Sequence, residues 1–401
     1  MIWLTAVALL SPAATGHGAD WPRWRGPNGD GISKETGWNP KALEGGAKVK
    51  WQANVGDGYS AVAIRDGKLY TMGNTNGQDV VLCLEAGTGK EVWRHTYPCA
   101  KGDYAGPRVT PTLDGNAVLT LSREGHVFSL NALTGEVLWK TNLVSDLKAK
   151  NNQWGLASSP YIVGELVLFN AGKCGIALKK ATGETAWSTA PGPGAYATPV
   201  LFDVDNKKCA AIFGQKALYA VQVADGKELW SVRWETAYDV NAADPIFLGG
   251  NRVFVSSGYN RGCALLSLEQ NPPKEIWQNR NMRNHFSTCV LLDGFLYGLD
   301  GNAGGEGALR CIDPATGFVK WQQAVGFGSL MAADGNLIVL NDRGTLFIVV
   351  ADSAAYKQLS KADVAPVGKK SGVWWTMPVL CNGMIYCRGS AGPLICVDVS
   401  K

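Results

Sequence analysis

The sequence predicts an all-β fold: an eight-bladed β-propeller of four-stranded antiparallel blades, closed by pairing an N-terminal strand with the C-terminal blade. Three observations predict it. A strand–turn–strand phrase ending in tryptophan recurs at a near-constant period. A second phrase, small residue then proline, marks one strand in each unit. The last unit is short of a strand, and the first residues of the repeat region supply a spare one.

The tryptophan phrase is clearest as CIDPATGFVKW (311–321) and recurs as CLEAGTGKEVW (83–93), SLNALTGEVLW (129–139), ALKKATGETAW (177–187) and AVQVADGKELW (220–230). A worn copy without the turn glycine, SLEQNPPKEIW, ends at Trp277. With Trp51 the tryptophans fall at 51, 93, 139, 187, 230, 277 and 321, spaced by 42 to 48 residues, a period that implies radially arrayed or stacked units. The turn glycine sits where a short hairpin needs positive φ, which costs other residues a Cβ clash.

Each unit opens on a strand marked by Ser60-Ala61-Val62, Thr110-Pro111, Ser159-Pro160, Thr198-Pro199, Asp244-Pro245, Thr288-Cys289, Leu330-Met331 or Met377-Pro378, eight copies in all. Proline cannot donate to a ladder, so this strand is an edge, the inner edge beside the channel. Asp-Gly turns, as in Asp66-Gly67, Asp293-Gly294 and Asp334-Gly335, join it to a second strand. The tryptophan hairpin supplies strands three and four, which completes a propeller blade. The seventh unit ends Tyr-Lys-Gln-Leu (356–359) where others carry tryptophan. The eighth, 374–401, has three strands, and VKWQANVG (49–56) is the spare fourth. Joining them removes two open edges.

Composition sets the class. Of 401 residues 46% are hydrophobic and 18% charged, which excludes a disordered chain. Net charge is +4 with no basic run, so no nucleic acid partner is expected. The run IWLTAVALL (2–10), followed by small residues, reads as a signal peptide over residues 1–18, with cleavage after Gly16 or Gly18. The expected product is a periplasmic or secreted monomer without a transmembrane anchor. Residues 19–46, rich in Trp, Pro and Gly, read as an arm packed on the propeller of residues 47–401. The ten cysteines contain no CxxC or adjacent pair, which argues against zinc ribbons and haem attachment. Cys83, Cys311 and Cys396 share one repeat position with Ser129, Ala177 and Ala220, so they read as small buried residues.

These repeats resemble those of the PQQ-type propellers, which include the quinoprotein alcohol dehydrogenases and the BamB outer-membrane assembly lipoproteins. The chain is most similar to exported bacterial BamB-like propellers over WPRWRGPNGDGIS (21–33), FVSSGYNRG (254–262), NHFSTCVLLDGFLYGLDG (284–301), residues 337–364 and the closing WWTMPVLCNGMIYCRG (374–389). The resemblance implies two functions: a binding or scaffold propeller for an envelope protein or small ligand, or a PQQ- and Ca²⁺-dependent alcohol or sugar dehydrogenase. The adjacent cysteines and calcium carboxylates of the dehydrogenases have no evident counterpart, nor has the lipid-bearing cysteine of BamB. A sugar- or polymer-binding rim is a third reading.

Ligands of propellers meet the channel mouth, where the inner strands begin. Tyr59, Tyr104, Arg108, Trp154, Tyr196 and Tyr238 lead into those strands, as do Asn241, Asn284, His285 and Trp375. Aromatic faces that stack and polar groups that orient are the usual makings of a small-molecule site. His285 is the candidate general base. His95 follows a repeat tryptophan and His126 sits in an outer hairpin, which makes them weaker candidates. Asp244 replaces the usual Ser or Thr and needs a cationic partner, for which Arg108 and Arg261 are candidates. Asp239, Asn241 and Asp244 offer oxygen ligands, but in an extended strand Asp244 faces away from 239 and 241, so no metal site is assigned. The glycine-rich 301–307 reads as a mobile hairpin tip.

Overall fold

A computed structural model describes residues 20–366 and 371–401. The expected signal peptide, 1–18, lies outside them. Eight sheets form the molecule. Blades 1 to 7 span 63–98, 112–142, 161–188, 200–233, 246–279, 290–324 and 328–363, each four antiparallel strands in sequence order. Blade 8 takes three strands from 379–398 and its outer strand from Val49–Asn54, with Trp51 opposite Cys396. The predicted closure is therefore the observed one. Blade 7 departs from the four-strand rule, because Ile32–Ser33 adds in parallel to its inner strand through Ala332 and Ala333.

The tryptophan phrase is a contact between blades. Trp93 Nε1 donates to Ala132 O of the next blade at 2.9 Å, and Trp51, Trp139, Trp187, Trp277 and Trp321 make the same bond at 2.7–3.0 Å. The turn glycine of the receiving blade lies flat on the indole: a Cβ on Gly135 would stand 2.6 Å from Trp93, and one on Gly183 2.4 Å from Trp139. The glycine therefore answers two demands, positive φ (+77° and +74°) and close approach of a ring. Tyr70 and Tyr386 share their tryptophan's carbonyl, donating at 3.1 Å to Ala132 O and Ala86 O. Between tyrosine and tryptophan on the same face stand the buried Cys83 and Cys396. All ten cysteines are free and buried.

The small residue before proline also has a reason. It sits just ahead of the paired part of the inner strand rather than within it, and accepts from the neighbouring blade. Thr110 N donates to Ser159 Oγ (3.1 Å), Ser159 N to Thr198 Oγ1 (3.2 Å), Thr198 N to Asp244 Oδ1 (2.7 Å) and Asp244 N to Thr288 Oγ1 (2.9 Å). A chain of side-chain acceptors thus laces blades 2 to 6 around the axis, satisfying backbone donors that no ladder reaches.

The arm crosses the channel at the end opposite the mouth. Trp21 bridges Ile64 of blade 1, Pro22 O accepts from Leu113 of blade 2, and Arg25 donates to Thr288 O and Cys289 O of blade 6. Glu35 then caps the turn of blade 8 through Asn382 N and Gly383 N. In blade 7 the register position of the tryptophan belongs to Ser360, opposite Ile348, and not to the Tyr356 segment. Ser360 Oγ donates to Pro40 O at 2.6 Å, and Trp38 and Leu43 pack in the core shared by blades 7 and 8. The arm supplies the bulk that the missing indole leaves out.

Candidate functional site

The inner strands begin around a basin of about 710 Å³ at the channel mouth. Eight of the residues singled out in the sequence line it. Tyr59, Tyr104, Arg108 and Trp375 form one side, Trp154 and Tyr196 another, and His285 and Asp244 complete the wall and floor. Trp24 of the arm closes the floor, its Nε1 donating to Asp244 Oδ2 at 2.7 Å. The walls are stacked rings: Tyr59 on Trp375 with centroids 5.4 Å apart, Phe286 on Trp375 at 5.2 Å and His285 on Phe286 at 3.6 Å.

Four sequence candidates lie elsewhere or serve the fold. Tyr238 is 63% exposed at the rim, edge-on to Trp154 and Tyr259. Asn241 is buried and donates to Gly214 O at 2.9 Å while accepting from Ser257 Oγ at 2.8 Å. Asn284 donates to Leu299 O at 3.0 Å and accepts from the Cys289 thiol. Arg261 stacks on Trp234 at 3.7 Å. The partner of Asp244 is neither Arg108 nor Arg261 but Arg25, at 3.9 Å and equally buried. Burial pushes the Asp244 carboxyl upward, opposed by the charge of Arg25 and the bonds from Trp24 and Thr198. Residues 237–239 form a short 3₁₀ turn in which Asp239 pairs with Lys216 at 2.6 Å, so the extended oxygen set imagined there is not built.

His285 carries different chemistry from the general base expected. Its Nδ1 accepts from Ala303 N at 3.1 Å, so the neutral ring holds its hydrogen on Nε2. That Nε2 is buried without a partner. Burial alone pulls its pKa down to about 4. At neutral pH His285 is an uncharged donor. Two more buried donors on the basin wall have no partner: Arg108 Nη1 and Trp375 Nε1. Arg108 spends Nη2 on the carbonyls of Asp103 and Tyr104, and burial lowers its pKa to about 10, which still leaves it a cation. Three residues of an aromatic basin thus each keep a buried donor without a partner, and acceptors are the groups that complement them.

Sequence reasoning missed Trp24, Tyr259, Phe286 and the Asn302–Gly304 wall. The glycine-rich stretch is part of the site: Asn302 Oδ1 accepts from Tyr259 N at 2.8 Å, and Ala303 N holds His285. Its signal was the spacing after His285 within one blade, hidden because glycine-rich tips usually carry nothing.

Comparison with known proteins agrees with the fold. The chain is 24% identical over 321 residues to the outer membrane protein assembly factor BamB of Yersinia pestis, covering 76% of this chain and 77% of that one. It is 25% identical to that of Salmonella typhimurium over 313 residues, 72% of this chain and 73% of the other. Among solved structures, BamB from Moraxella catarrhalis superposes with a TM-score of 0.65 at 14% identity, over 88% of this chain and 99% of that one. The quinohemoprotein alcohol dehydrogenase of Comamonas testosteroni gives 0.66 at 15% identity, over 95% and 81%. A family model matches residues 77–323, more than half of the sequence, and the chain belongs to the family that this model describes, outer membrane protein assembly factor BamB.

Proposed function

We propose that the protein is an exported, monomeric binding propeller whose channel-mouth basin captures a segment of an envelope protein. The observation that carries this reading is the set of three partnerless buried donors, Arg108 Nη1, His285 Nε2 and Trp375 Nε1, around stacked aromatic walls. A polypeptide offers backbone carbonyls and carboxylates to such donors and apolar side chains to the rings. Relatives named as assembly factors support a protein as the partner class. Export rests on residues 2–10 and the small residues after them. Among the described residues no helix is long and apolar enough to cross a membrane.

The test is capture from an envelope extract by immobilised protein. Capture of an envelope protein that falls about tenfold or more in Arg108→Gln and Trp375→Phe supports the basin, the first change removing the guanidinium and the second the indole N–H. Capture insensitive to both variants overturns it.

The dehydrogenase reading finds planar walls suited to a quinone but no fit for its cation. Among the described residues Asp244 is the one carboxylate lining the basin, and its oxygens are committed to Trp24 and Thr198. Ca²⁺ needs six to eight converging oxygens. Mixing with PQQ and Ca²⁺ is expected to give no Ca²⁺-dependent quinone absorbance and no dye reduction with alcohols or sugars; either signal would reverse the choice.

A further inference from the structure

We infer that the cleft between blades 1 and 2 holds a transition-metal site for Zn²⁺, built from Cys99, Glu124 and His126. One ligand atom from each lies within 4.8 Å of the other two. The three come from both sides of a blade junction. Cys99 follows the outer strand of blade 1, Glu124 lies in the turn between the second and third strands of blade 2, and His126 opens that third strand. A thiolate, an imidazole and a carboxylate are the mixed donor set that Zn²⁺ takes in tetrahedral coordination, with water in the fourth position.

The blade 1 side of the cleft is fixed by a buried amide: Asn74 Nδ2 donates to Cys99 O at 3.0 Å and to the buried Asp79 Oδ1 at 2.8 Å. Glu124 and His126 are half-exposed, so the ion has a path from solvent.

The ligands are held before any ion arrives. Ser122 Oγ accepts from Glu124 N (3.2 Å) and His126 N (3.0 Å) and lies 3.0 Å from His126 Nδ1, which fixes both the turn and the ring. An oxygen partner on one ring nitrogen is the usual support of a metal-bound imidazole. Binding displaces the Cys99 thiol proton to solvent as the metal–sulfur bond forms, so the site loads better as pH rises. It also pins the start of the 99–108 segment, which carries Tyr104 and Arg108 to the basin.

The experiment treats the full mature chain with chelator, then titrates it with Zn²⁺ and, separately, with Co²⁺. The expected results are one equivalent bound, proton release, a higher melting temperature and a near-ultraviolet thiolate-to-cobalt band. Cys99→Ser removes the band. Glu124→Gln, at a half-exposed turn position that leaves the core intact, weakens Zn²⁺ binding about tenfold or more. Cys289→Ala, in blade 6, leaves the band in place. Absence of saturable binding overturns the inference, as does a band that survives Cys99→Ser or an affinity unchanged in Glu124→Gln.

Discussion

At His285 the position of one hydrogen decides between base and donor. With Nδ1 committed to Ala303 N, the ring presents Nε2–H. Its folded-state pKa of about 4 lies below the 6.5 of an unperturbed ring. As pH falls the unfolded chain takes the proton first, so the stability contributed by the neutral ring is full above about pH 6.5 and is lost towards pH 4. That contribution is on the order of 3 kcal/mol. Denaturant titrations at pH 7.5 and pH 4.5 should therefore show a drop in wild type that is smaller in His285→Gln by about 2–3 kcal/mol; equal drops would refute the assignment. Asp244 behaves differently because both its oxygens are in use. Asp244→Asn turns an amide N–H₂ towards either the Trp24 indole or Thr198 N and leaves Arg25 buried without its counter-charge. A loss of about 3–5 kcal/mol in equilibrium unfolding is expected. The need for a cation beside Asp244 was legible in the sequence, because an aspartate stands where Ser or Thr is usual. Which cation was not legible: Arg25 lies more than two hundred residues away, and nothing local in the chain marks that separation.

Blades were legible because their rules are local. A turn glycine, a tryptophan four residues on and a small residue opposite it can all be read within a dozen positions; the first two prove to be contacts with a neighbouring blade, and the third lies beside the tryptophan in its own sheet. Two glycines separate the two demands made on the turn. Gly67 has φ +71° and open space where a Cβ would go, whereas Gly183 has φ +74° and the Trp139 ring 2.4 Å from that point. Gly67→Ala should cost about 1 kcal/mol, the strain of positive φ alone. Gly183→Ala should cost a further 1–3 kcal/mol or so for overpacking the ring. Thermal denaturation of the two variants checks this, and equal costs would show that the indole contact adds nothing. The arm's two structural duties, filling the gap beside Ser360 and flooring the basin with Trp24, are not visible in the sequence. They answer a deficit in blade 7 and a charge in blade 5, and sequence pattern does not couple segments so far apart. The zinc ligands escaped for the same reason: Cys99 and His126 belong to different blades and follow no spacing rule.

At the scale of the whole molecule the ring is fastened where its ends meet. Arg388 of blade 8 is fully buried and reaches into blade 1, donating to Ser60 O (2.8 Å), Thr71 Oγ1 (2.9 Å), Gly56 O (3.1 Å) and Met72 O. Burial lowers its pKa to about 9, leaving it a cation held by carbonyl dipoles. Arg388→Met keeps much of the volume but strands those carbonyls, and a loss on the order of 3 kcal/mol or more is expected in urea unfolding. A near-neutral result would mean that the clasp is incidental to closure. The strand Val49–Asn54 finds its partner in Pro393–Asp398, more than three hundred residues further along. Until that segment is made the early strand has nothing to join, and seven blades' worth of sequence must be synthesised before the eighth can lock. A truncated product is left with a raw sheet edge, a ready substrate for proteases or for clumping.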